Sequence, residues 1–248
     1  LVVHEPKTIL QKMQGTEYHL GAFIKRILSP LDGINVTPGP FSIFRREVFD
    51  KIGLYKKAHN TEDMEFALRM QSHHMRIRNA HTAKVHTSAP GTLYKLYRQR
   101  LRWLYGSMKN TLDYRFMMFR REYGVLGMLI LPLSLFGVFM LLYNFSFIIF
   151  HSAENLANKI TQWSVVGFSF TSPQFDVFYI NTDFMVLLAY ILLGLGLFII
   201  WNGIKLAEGN FRPNMGILYF IILYSIVAPL WFFRAVVNLI FSRGTKWR

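Results

Sequence analysis

The feature that most restricts the folds open to this chain is a set of three long apolar runs in its second half. Residues 126–150 hold no charged side chain in 25 consecutive positions. Two further runs cover 184–204 and 215–241, the last interrupted only by Arg234. About 20 apolar residues cross a bilayer core as a helix, so each run is long enough. The competing use for such runs is the core of a large soluble domain. Residues 123–248 carry too little polar surface to wrap three of them, so this half is read as a transmembrane region.

Charge divides the chain at the same place. Residues 1–122 contain 21 Lys and Arg against 10 Asp and Glu, a net of +11, whereas 123–248 contain 7 against 4, a net of +3. A basic front implies anionic partners. Nucleic acid is excluded as a partner: there is no zinc-finger spacing, no RNA-binding signature and no lysine-rich tail, and the second half is too apolar for a soluble binder. A phosphorylated small molecule and membrane lipid headgroups fit better. With no Cys there are no disulfides and no Cys-based metal sites, which is compatible with a cytosol-facing front. The opening LVVHEPKTIL lacks a signal peptide and an initiator Met, so the chain is expected to begin partway through a longer protein.

Orientation in the membrane follows from the connecting segments. Residues 151–183 carry Lys159 against Glu154, Asp176 and Asp183 and read as an external loop. Residues 203–214, with Lys205, Arg212 and Glu208, and the tail with Arg243, Lys246 and Arg248, read as cytosolic. Three full crossings from a cytosolic front would put the tail outside. Either the tail breaks the charge rule, or the third run bends at Pro229 and Arg234 into an interfacial helix.

The front alternates short elements. Residues 7–28 read as a helix, with Ile9, Leu10, Met13, Leu20 and Ile24 on one face. Residues 36–49 read as a strand, a Pro/Gly turn, a second strand and a helix start, and 75–85 as another strand pair. Thr61 is a candidate N-cap for a helix over 62–72 with acids in its first turn. Over 93–114, Tyr97, Leu101, Leu104, Tyr105, Met108 and Leu112 form one helical face, with Arg98, Arg102 and Lys109 off it. A basic amphipathic helix just ahead of a span suits the membrane surface.

Two clusters can carry chemistry: Thr61-Glu62-Asp63 at a helix mouth, and Gln99-Arg100-Leu101-Arg102-Trp103, beginning 36 residues after Asp63. Moving a sugar off a nucleotide requires a base for the acceptor hydroxyl, cations or a metal for the departing diphosphate, and often a flat aromatic surface for a sugar ring. Asp63, then Arg100 with Arg102, then Trp103 offer those three in order. Singly, each residue has a plainer use. Paired acids cap helices, arginines ahead of a span meet lipid headgroups, and a Trp there joins the interfacial belt.

The TED and QRLRW motifs together, followed at once by apolar spans, resemble the processive family-2 glycosyltransferases: the cellulose, chitin, hyaluronan and poly-N-acetylglucosamine synthases. That family's signature runs D, DxD, (T/G)ED, Q(Q/R)xRW, and the last two members stand here without departure. Gly39-Pro40-Phe41-Ser42-Ile43-Phe44-Arg45-Arg46 is similar to the family's acceptor-lining segment, and Glu17-Tyr18 to a pair in its preceding helix. Gly244-Thr245-Lys246-Trp247-Arg248 is similar to a cytosolic gating segment in some relatives.

The resemblance implies an α/β fold. Residues 1–92 would be the C-terminal, acceptor-side part of a GT-A catalytic domain, 93–122 an amphipathic interfacial helix region, and 123–248 transmembrane helices. It implies Asp63 as catalytic base with Glu62 in support. Gln99, Arg100, Arg102 and Trp103, with Gly39, Pro40 and Phe41, would hold substrate. The activity would be inverting transfer from a nucleotide-sugar donor, UDP-linked, to a growing polysaccharide acceptor, with export through the membrane and room for an accessory membrane subunit. Single-sugar transfer to a lipid carrier, and a non-catalytic transporter or scaffold, are the alternatives. The family's metal, Mg²⁺ or Mn²⁺, is held by a DxD upstream of TED, and no DxD occurs here. This chain alone is therefore expected to bind metal and donor poorly. His73-His74 and the His81/His86 pair lack a companion carboxylate at ligand spacing.

Overall fold

The computed structural model describes residues 1–167, 184–209 and 215–241. Seven α-helices dominate the described residues: α1 (Ile9–Leu28), α2 (Arg46–Ile52), α3 (Glu62–Ser72), α4 (Leu93–Asp113), α5 (Leu131–Val166), α6 (Phe184–Glu208) and α7 (Met215–Ile240). Among the described residues the strands are β1 (Val2–Val3) and β2 (His86–Thr87), paired in parallel. The α/β expectation is thus met only by this short ladder. Residues 36–45 and 75–85 form no strands. Pro38 and Pro40 take two donors out of the first segment, and the second pairs only at its end, where the Val85 carbonyl accepts from Val2 N–H at 2.8 Å just ahead of β2.

Helix α1 starts at a capping box: Thr8 Oγ1 accepts from Gln11 N–H at 3.2 Å, and the Gln11 side chain accepts from Thr8 N–H at 3.1 Å. The Gln11 and Gln14 amides also donate to the carbonyls of Ala89 (3.0 Å) and Pro90 (2.8 Å), fixing α1 beside the entry to α4.

Helix α3 is buried from Met64 through Gln71. One side joins a cluster of Ile34, Ile52, Ala67, Met70 and Ile77 around Phe66, on which Tyr55 stacks at 4.5 Å. Its buried charges are matched internally. Arg69 donates to Glu65 at 3.0 Å and to the Ile52 and Leu54 carbonyls at 2.7 and 2.9 Å, while the Tyr114 hydroxyl donates to Glu65 at 2.8 Å. Paired in this way, the two ions keep their desolvation compensated, and α3 is a fixed central post.

Among the described residues, three helices are long and apolar enough to cross a membrane: Leu126–Val166, Val186–Glu208 and Met215–Ile240. The first opens with a π-helical turn at Leu126–Ile130, which leads into α5 with Pro132 at its start. It also corrects the loop expected after residue 150, because α5 stays helical for 36 residues, to Val166. At 1.5 Å per residue that is roughly 54 Å, well beyond a ~30 Å hydrocarbon core. The charges at 151–166 set polarity, not backbone conformation. The remainder of the expected loop (168–183), Arg212 and the tail 242–248 lie outside the described residues.

Helix α7 is one helix through Pro229, not a span that breaks there. It packs on α1, α4 and α5, while α6 packs on α1. Gly203 of α6 makes the second contact close: a Cβ there would sit 2.8 Å from the His19 carbonyl oxygen. Helix α4 likewise differs from a helix lying free on a membrane surface. Its Leu101, Leu104, Tyr105 and Met108 pack against Leu135, Val138 and Leu142 of α5 and Phe232 and Ala235 of α7.

Candidate functional site

Two stripes on α4 build the site. Gly106, Asn110 and Asp113, spaced 4 and 3 apart, face the start of α3. A Cβ on Gly106 would overlap Thr61 Oγ1 and lie 2.8 Å from the His59 carbonyl oxygen, so only glycine permits this approach. The Asn110 amide donates to the Thr61 hydroxyl at 2.9 Å and to its carbonyl at 3.1 Å. His59 Nε2 lies 2.8 Å from Asp113 Oδ2. His59 and Asn60 both take positive φ (45° and 64°), turning the chain sharply into α3. Thr61 is the N-cap residue, as its position predicted, but its side chain makes no capping bond; the hydroxyl serves α4 instead.

A second stripe, Gln99, Arg100, Trp103 and Ser107, lines a cavity of about 530 Å³. Asp63 faces the same cavity from α3, Gly39 and Pro40 from the preceding loop, and Glu17, Tyr18 and Lys25 from α1. Leu206 and Ala207, at the end of α6, complete a wall on the membrane side. Six of the nine predicted site residues therefore line this cavity: Gly39, Pro40, Asp63, Gln99, Arg100 and Trp103. Glu62 is exposed and points away; Arg102 is half-buried but does not line it; Phe41, 75% exposed, lines an adjoining cavity of about 400 Å³.

Arg100 is the most constrained of the group, at 6% exposure. It donates to Glu17 at 2.6 Å, and its guanidinium stands 4.6 Å from the centre of the Trp103 ring, a cation–π stack. Tyr224 of α7 bonds the other Glu17 oxygen at 3.4 Å. The Arg100 Nε and Gln99 Oε1 atoms are buried with no partner among the described residues. Burial pushes the Glu17 carboxyl above its ordinary range, and Arg100 and Tyr224 oppose that rise.

Asp63 is half-buried, and its Oδ1 accepts from the Met64 N–H at 2.9 Å. Burial raises its pKa and neighbouring Glu62 adds to the rise, while the Met64 N–H and Lys25 work against it. The result is a carboxylate of raised basicity at a helix start, facing open volume.

Sequence reasoning passed over Lys25, Gly106, Asn110 and Tyr224. A signal for the first was present: Glu17, Gly21 and Lys25 recur every four residues and share one face of α1. The residues around the cavity do not fit a metal ion. Glu17 is committed to Arg100, and among the described residues no group of three His, Asp or Glu side chains could hold one.

Fold and site together describe a membrane-associated protein whose cavity, carrying charged side chains, is closed by the foot of an apolar helix. Residues 31–241 match Glycosyl transferase family group 2, and the chain belongs to that family. The family implies glycosyl transfer, with a nucleotide-sugar donor and an acceptor. No curated protein matches the chain, and no solved structure does.

Proposed function

We propose that the chain transfers sugar units, with inversion, from a UDP-sugar to the end of a growing polysaccharide on the cytosolic side of the membrane. The observation that carries this reading is the convergence of Asp63 with Gln99, Arg100 and Trp103 on one cavity.

In this reading Asp63 takes the proton of the acceptor hydroxyl as that oxygen attacks the sugar C1. The bond from C1 to the donor phosphate breaks, and its electron pair leaves with the nucleoside diphosphate. Attack opposite the leaving group inverts C1. Arg100 faces the charge that develops on the diphosphate, with Gln99 beside it. Trp103, stiffened by the stacked guanidinium, is a platform for the acceptor's terminal ring. Glu62 acts only by its charge, and Arg102 by supporting α4. A divalent cation, Mg²⁺ or Mn²⁺, enters this reading with ligands other than these residues, and no step above uses it. Elongation at the foot of α6 leaves the product beside the apolar helices, which supports export over release to the cytosol.

The test is Asp63→Asn in the full-length protein. Transfer is expected to fall by at least 10²-fold, as for loss of a general base, while donor binding stays within a few-fold of wild type. Elongation at a near-normal rate by that variant removes Asp63 from the mechanism.

A further inference from the structure

Besides Arg100, two lysines that the motifs do not account for line the cavity: Lys25, half-buried, and Lys84, exposed. Lys25 lines both the 530 Å³ cavity and the adjoining 400 Å³ one, standing where the two meet. It is half-buried on α1, on the same face as Glu17, whose carboxylate is already taken by Arg100. Among the described residues the Lys25 ammonium has no hydrogen bond and no ion pair within 4.0 Å. A partly desolvated ammonium left unpaired is costly, and an anionic ligand is the usual compensation. One donor from α4 on the same cavity also lacks a hydrogen-bond partner among the described residues, the Nε of Arg100, a side chain more than nine-tenths buried.

We infer that Lys25 is a second cationic ligand for the donor's diphosphate, acting from α1 across the cavity from Asp63. This rests on the transferase reading above and adds a residue to it. When the C1–O bond breaks, the diphosphate gains the electron pair and one further unit of negative charge. Arg100 is already ion-paired with Glu17, and Lys25 adds a cation from the facing helix α1. Lys25 also keeps the proton ledger at Asp63 separate, since its charge favours the ionised carboxylate before the acceptor arrives.

The experiment is direct binding of UDP, and separately of uridine, to the full-length protein in detergent, with Mg²⁺ present throughout. Lys25→Gln is expected to weaken UDP roughly 10- to 100-fold, the range for a lost charge-assisted contact, and to leave uridine unchanged. Lys25→Arg should stay within about threefold, since it keeps the charge. Unchanged UDP affinity in Lys25→Gln overturns the inference, as does an equal loss in Lys25→Arg or an equal loss for uridine, which mark a structural lysine. Asp63→Asn separates the two readings. If it still elongates polymer, the base assignment fails while the Lys25 result stands on its own binding data.

Discussion

Replacing Gly106 by alanine should reverse the sign that helix propensity predicts. In the interior of an ordinary helix, Gly→Ala stabilises by about 1 kcal/mol. At position 106 the new methyl group would overlap the Thr61 hydroxyl and lie 2.6 Å from Thr61 Cγ2 and 2.8 Å from the His59 carbonyl oxygen. The hydroxyl is held by Asn110, and the carbonyl belongs to a residue in a positive-φ turn, so neither retreats cheaply. Overpacking costs roughly 1–3 kcal/mol, which leaves a net loss of up to roughly 2 kcal/mol after the propensity gain. Activity should suffer more than stability. Pushing α3 about 1 Å from α4 moves Asp63 relative to Gln99, Arg100 and Trp103, and such a shift costs about 10²-fold in rate. The assay is thermal unfolding of the full-length protein in detergent, together with kcat/KM for sugar transfer. Gly15→Ala in α1 is the control, because a Cβ there meets nothing within 4 Å and should be neutral or stabilising. If Gly106→Ala melts no lower than Gly15→Ala and transfers at the wild-type rate, the tight α3–α4 contact does not position the site.

Asn110→Ala should cost roughly 1–3 kcal/mol, seen as a lower unfolding temperature, because the buried Thr61 hydroxyl loses its donor while the carbonyl keeps only the Met64 and Glu65 N–H groups. Trp103→Ala should reduce chain elongation more than donor hydrolysis, measured side by side; equal loss of both would make the indole purely structural. The rate of transfer should fall on acidification at a higher pH than an ordinary aspartate would dictate, since burial raises the pKa of the group that must be ionised. The same shift has a stability sign. With its folded pKa above its unfolded one, Asp63 contributes stability fully below the unfolded value, and that contribution is lost as pH rises through the folded value. Asp63→Asn should therefore unfold no lower than wild type at neutral pH, and a lower midpoint would contradict the burial argument.

Helices α1, α3 and α4 were legible because local rules agree there: a capping box at Thr8 and Gln11, acids after Thr61, and an unbroken apolar face from Tyr97 to Leu112. The three apolar runs were legible from length alone. The strands expected at 36–49 and 75–85 failed because a strand is defined by its neighbour, and no local pattern announces whether one exists. The same limit hid part of the site. Arg100 was visible within its motif, but its partner Glu17 lies 83 residues earlier, and Tyr224, which bonds Glu17, lies 207 residues after Glu17. Gly106 and Asn110 sit four residues apart, and only the contact with Thr61 distinguishes them from any other small pair on a helix.

The foot of α6 carries a consequence for anyone hoping to isolate the chemistry. Leu206 and Ala207 line the proposed site's cavity, and Gly203 lets that helix rest directly on the α1 backbone. Cutting the chain after residue 122 would therefore not release a working enzyme from its anchor. It would open the chamber on one side and strip α1 of the helices that cover it, leaving a sticky and leaky remnant.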